Sequence, residues 1–145
     1  MDRRDMSQPA ESKEAIGVLV IDDEKVFRDT LAKVLKRRGM AVKITADGFE
    51  GLALAQADTF DVAVLDLKMP GMDGLTVLER MHEICPSTEV VVLTGHATVE
   101  DSITAIRQFA FDFLFKPVEV SWLAEVIAAA ARAKRAKVSG GTGGV

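Results

Sequence analysis

Short apolar runs and amphipathic stretches alternate along the chain, five of each. Val18-Leu19-Val20-Ile21, Val62-Ala63-Val64-Leu65 and Val90-Val91-Val92-Leu93 are hydrophobic without interruption, as expected of strands buried on both faces. Strands are predicted near 17–21, 41–45, 61–65, 89–93 and 112–115. The first helical stretch places Phe27, Leu31, Val34 and Leu35 on one face. Its last turn is basic (Lys33, Lys36, Arg37, Arg38), which suits the negative end of the helix dipole, and Gly39 supplies a stop. The second helix starts at an Asp47 cap and runs through Phe49, Leu52 and Ala53. The third starts near Asp73, uses Leu75, Leu78 and Met81, and ends before Pro86. The fourth follows Thr98-Val99-Glu100-Asp101 and carries Ile103 and Ile106. The fifth turns Leu123, Val126, Ile127 and Ala130 inward, with Trp122 packing at its flank.

Such alternation implies right-handed βαβ crossovers and an α/β fold, a doubly wound five-stranded parallel sheet with helices on both faces. The flavodoxin-like strand order 2-1-3-4-5 fits this strand count. Residues 1–15 are polar and read as a flexible arm, 16–137 as one domain, and the Gly-rich 138–145 as a tail or linker.

Composition narrows the function. A length of 145 residues fits one domain with a substantial core, and a formal net charge of -4 gives no footprint for direct nucleic-acid binding. Cys85 is the one cysteine, so no internal disulfide forms, and a small buried hydrophobe is its expected role. No apolar stretch approaches the roughly 20 residues of a membrane span, and 1–15 lacks a signal-peptide core. The expected location is the cytoplasm, with no membrane partner. His82 and His96 read as surface residues, and Arg132, Lys134, Arg135 and Lys137 as a solvated helix end.

Charge at the ends of the apolar runs carries the chemistry. Asp22-Asp23 follow the first strand, Asp66 the third, and Lys116-Pro117 the fifth. In a parallel sheet these ends share the edge where open α/β folds bind ligands. Clustered carboxylates there suit a hard divalent cation, and a lysine beside them suits an anion. Taken singly, Asp22-Asp23-Glu24 could be acids favoured by a helix dipole and Lys116 a solvated lysine. Their joint placement favours a site.

In this order the chain resembles the receiver domain of a two-component response regulator, over residues 16 to 135. The motifs are Asp22-Asp23, Asp66 followed by Lys68-Met69-Pro70-Gly71-Met72-Asp73-Gly74, Thr94-Gly95, and Lys116-Pro117. The stretches Leu93 to Thr98 and Ala110 to Leu114 look like receivers of enhancer-binding transcription activators. The resemblance implies that Asp66 accepts a phosphoryl group from a sensor histidine kinase or a phosphotransfer protein. Mg²⁺ would be held by Asp23, Asp66 and the backbone carbonyl of Lys68, with Asp22 on a metal-bound water. Lys116 and Thr94 would take phosphoryl oxygens, and Gly95 would leave room for the donor. Pro117 resembles the family's cis-proline. Output would follow from movement of Thr94 and Phe113, reshaping the surface of the fourth helix, fifth strand and fifth helix for an effector domain or protein. The same surface would allow a homodimer. Catalysis would be confined to the chain's own phosphorylation and dephosphorylation.

Two departures from the family pattern stand out. Phe109 occupies a position often held by glycine, and the basic pair Lys68 and His96 flanks the site. Other classes fit less well. A Mg²⁺-dependent aspartyl phosphohydrolase tends to carry a second aspartate two residues after the nucleophile, where this chain has Lys68. A flavin carrier needs a phosphate loop where this chain has Asp22-Asp23-Glu24. A docking scaffold independent of phosphorylation would not need the complete acidic set.

Overall fold

The computed structural model describes residues 15–69, 71–95 and 100–144. The expected arm, but for Ala15, lies outside them, as do Pro70, His96 and Thr98. The strands are β1 (Gly17–Ile21), β2 (Ala41–Thr45), β3 (Val62–Asp66), β4 (Glu89–Thr94) and β5 (Asp112–Phe115). The helices are α1 (Lys25–Arg37), α2 (Gly48–Ala57), α3 (Gly74–Ile84), α4 (Glu100–Phe109) and α5 (Val120–Gly144). All strand pairs are parallel, in the order β2-β1-β3-β4-β5, as the alternation predicts.

Successive side chains along a strand point to opposite faces, and both faces are covered. Val18, Val20, Val62, Val64, Val91 and Leu93 join Leu31 and Leu35 of α1 and Leu123 and Ile127 of α5 in one core. Leu19, Ile21, Ala63, Leu65, Val90 and Val92 join Val77, Leu78 and Met81 of α3 and Ile106 of α4 in the other. The central strands therefore need apolar residues at every position. β2 and β5 lie at the sheet edges, and each carries exposed positions that the central strands lack.

Local signals end the elements where the sequence places them. Gly39 takes φ +86, its N–H donates to the Lys36 carbonyl at 2.9 Å, and the Met40 N–H reaches the Leu35 carbonyl at 3.1 Å. This is a Schellman stop, and Met40 and Leu35 are buried in one core, the apolar contact that accompanies it. Asp47 caps α2 by accepting from the Glu50 N–H at 2.7 Å.

Four expectations are corrected. The inner face of α2 is Gly48, Gly51 and Ala55, while Phe49 is 66 % exposed. Cβ atoms at Gly48 and Gly51 would lie 2.6 Å from Val77 and Ile21 side-chain carbons, so close approach selects small residues and turns Phe49 outward. Trp122 is exposed and Cys85 only half-buried. Apart from these corrections, the α5 backbone is helical through 138–144. Extending an existing helix is far easier than nucleating one, so it continues despite a cost of about 1 kcal/mol per glycine. Finally, Lys134 and Arg135 do not simply face solvent. Asp61, just ahead of β3, accepts from Lys134 (3.1 Å), Arg135 (3.1 Å) and the Gly17 N–H (2.9 Å). This tie joins α5 to the starts of β1 and β3.

Burial alone would raise the Asp61 pKa, but the Gly17 amide, Arg135 and Lys134 outweigh it and hold it below the usual carboxylate range. Asp61→Asn is expected to cost about 1–3 kcal/mol at neutral pH. Because the folded-state pKa is the lower one, this stabilisation is complete above an unfolded pKa of about 3.9 and is lost as pH falls through the folded value. Urea midpoints of the two proteins should converge on acidification, and a pH-independent gap would contradict the ion-pair account. At the other end of β3, a Cβ on Gly74 would come within 2.5 Å of the Leu67 backbone. Gly74→Ala should lower stability by about 1–3 kcal/mol in the same assay, whereas an unchanged midpoint would show that the loop after β3 yields freely.

Candidate functional site

Parallel register brings the strand ends to one rim. Ile21 pairs with Leu65, Asp66 with Leu93, and Thr94 with Phe115. The next residues, Asp22 and Lys116, therefore emerge beside Asp66 and Thr94. Asp22, Asp66 and Thr94 are buried, while Asp23 is exposed. Asp23, Asp66, Lys68, Gly95 and Lys116 line an open cavity of about 550 Å³ with Glu24 and Met69.

Lys116 Nζ lies 2.9 Å from Asp22 Oδ2 and 3.4 Å from Asp66 Oδ2, and it also pairs with Glu24 Oε1. Its ammonium sits 4.7 Å from the centre of the Phe27 ring. Its backbone N–H donates to the Thr94 carbonyl at 2.8 Å, and the Lys116–Pro117 bond is cis, as in the family pattern. Burial opposes the charged form of Lys116, yet the hydrogen bond to Glu24 and the contacts with Asp22 and Asp66 prevail and push its pKa up.

Backbone groups fix the carboxylates. Asp66 Oδ1 accepts from the Lys68 N–H at 3.0 Å, and Asp22 Oδ1 from the Glu24 N–H at 2.9 Å. Arg28 of α1 donates to the Asp22 carbonyl at 2.9 Å. Burial raises the Asp66 pKa, the Lys68 amide opposes it, and repulsion from Asp22 adds to the rise. Crowding of acids does raise one pKa, as sequence reasoning expected, but desolvation is the larger cause.

The residues fit a hard cation. Asp22, Asp23 and Asp66 can each offer one oxygen, all within 4.8 Å of one another. Asp22 Oδ2 is buried and accepts no hydrogen bond, its contact with Lys116 being an ion pair without hydrogen-bond geometry. A buried carboxylate oxygen that accepts no hydrogen bond could take one from a metal-bound water. Phe113 is half-buried on the core beside α3 and α4, and meets Phe115 edge-on at 5.7 Å. Phe109 packs against the same core and sits 4.6 Å from the exposed His82 ring. Sequence reasoning missed Glu24 and Arg28. The run of three acids was a visible signal for the first, while nothing local marked the second.

These observations define a receiver-type fold, a parallel sheet with acids and the Lys116 ammonium at its carboxyl rim. Residues 18–128 match the response regulator receiver domain, and the chain belongs to that family. It is 35 % identical over 103 residues to the DNA-binding transcriptional regulator NtrC of Salmonella typhimurium, covering 71 % of this chain and 22 % of that protein. It is 34 % identical over 105 residues to the photosynthetic apparatus regulatory protein RegA of Cereibacter sphaeroides, covering 72 % and 57 %. Thus the chain spans about a fifth of the first relative and just over half of the second. A CheY-like receiver domain from Methanospirillum hungatei superposes with a TM-score of 0.80 at 29 % identity, over 85 % of this chain and 98 % of that one. No helix among the described residues is long and apolar enough to cross a membrane.

In metal-free buffer Asp66→Asn should raise the urea midpoint, since it removes a buried, crowded charge. A lowered midpoint would mean that the Lys116 and Lys68 contacts of Asp66 outweigh its desolvation.

Proposed function

We propose that the chain is a phosphorylation switch in which Asp66 accepts a phosphoryl group from the phosphohistidine of a sensor kinase or phosphotransfer protein. The observation that carries this reading is the ammonium of Lys116 lying 3.4 Å from the buried Asp66 carboxylate, beside two further aspartates. An Asp66 oxygen bonds to phosphorus as the nitrogen–phosphorus bond breaks, and that electron pair returns to the donor imidazole. A carboxylate is a weak nucleophile, so positioning and neutralisation of charge do most of the work. Asp23, Asp66 and the Lys68 carbonyl would hold Mg²⁺, with Asp22 on a metal-bound water. A cation held by these residues would supply neutralisation of charge on the phosphoryl oxygens. Lys116 supplies a point charge to one phosphoryl oxygen and the Thr94 hydroxyl donates to another.

Phosphorylation adds nearly two negative charges. Thr94 moves toward them and Phe113 turns into the space it leaves, reshaping the surface of α4, β5 and α5. A phenylalanine at 113 signals by volume alone, as it has no hydroxyl. That surface would engage an effector domain or a second copy. Residues 138–145 would serve as a linker, and a hundredfold change in effector affinity needs about 2.7 kcal/mol.

Acid-labile phosphate from acetyl phosphate should label the wild-type chain with Mg²⁺ and fail to label Asp66→Asn or chelator-treated protein. Equal labelling of wild type and Asp66→Asn would refute the acceptor assignment. At Mg²⁺ a hundredfold above its dissociation constant, wild-type stability should rise by about 2.7 kcal/mol. Beryllofluoride with Mg²⁺ should shift amide signals at Thr94 and Phe113, and unshifted signals would favour a scaffold.

A further inference from the structure

Three carboxylates share the Lys116 ammonium, and they are not equivalent. Asp22 and Asp66 belong to the trio that can hold a cation, whereas Glu24 stands outside it. The Glu24 backbone is fixed at the rim through its N–H to Asp22 Oδ1 at 2.9 Å, while its side chain is 62 % exposed and lines the cavity mouth. A cation held by Asp23 and Asp66, with Asp22 on a metal-bound water, would engage two of the three Lys116 partners and leave Glu24 as the anion that still holds Lys116.

We propose that Glu24 is a positioning residue for phosphoryl entry, holding the Lys116 ammonium in the resting site and surrendering it when a phosphoryl dianion arrives. This rests on the reading of Asp66 as acceptor. An ammonium is a compact charge on a flexible stem and can move between partners. The exchange is easy on the Glu24 side, because an exposed carboxylate regains water when its partner leaves. It is not free, because an anionic donor must break the Glu24 pair and approach a like charge at the mouth. Glu24 thus raises the donor concentration needed for entry while leaving the Asp66 chemistry largely alone. Asp29, further along α1, carries the same charge but pairs with Lys25, and serves as the control.

Labelling rates against acetyl phosphate concentration, with saturating Mg²⁺, test this. Glu24→Gln should lower the half-saturating concentration about threefold, with the saturating rate nearly unchanged, and Asp29→Asn should leave both alone. In metal-free, donor-free protein, the Lys116 ε-methylene and ammonium NMR signals should move in Glu24→Gln and stay in place in Asp29→Asn. An unmoved Lys116 signal, an unchanged half-saturation, or an equal effect of Asp29→Asn would overturn the role of Glu24 alone. A wild-type chain that takes no phosphate would instead overturn the acceptor reading and this proposal with it.

Discussion

One ammonium held among buried carboxylates is the interaction on which the rest of this structure turns. Lys116 draws together the ends of β1, β3 and β5, and it does so where burial makes like charges costly. Asp22 is fully buried and Asp66 nearly so, and Asp66 already shows the penalty in its raised pKa. The Lys68 amide and the Lys116 ammonium both offset that penalty at Asp66. A site in this condition favours added positive charge, which is what the proposed phosphoryl transfer would require.

The scaffold makes that concentration of charge possible. Two cores, one on each face of the sheet, leave the central strands no freedom of register, since a slip of one residue would exchange the faces. Asp66 and Thr94 then lie at fixed heights on adjacent strands. Opposite the functional rim, the Asp61 tie anchors α5 to the beginnings of β1 and β3. Acidic site and structural ion pair thus occupy opposite ends of the same sheet.

Much of this was legible in the chain. Buried central strands announce themselves as unbroken apolar runs, and the residue that ends each run is the one delivered to the rim. Gly39 and Asp47 mark their helix ends by local chemistry that needs no tertiary knowledge. What escaped depends on packing or on distance in sequence. The face of α2 was misread because glycines fit against Ile21 and Val77 where larger apolar residues seemed the natural choice. The Asp61 pairing joins residues 73 and 74 positions apart, so each group looks solvated by itself. Glu24 was visible within an acidic run, but its hold on Lys116 depends on where β5 delivers that lysine.

A crystal structure of the chain with Mg²⁺ and beryllofluoride tests the central claim most directly. The account predicts the fluoride adduct on Asp66, the cation on Asp23 and Asp66 at about 2.0–2.1 Å, and Lys116 Nζ moved from Glu24 onto a fluoride. An adduct on another residue, or an ammonium still paired with Glu24 while the adduct occupies Asp66, would contradict it.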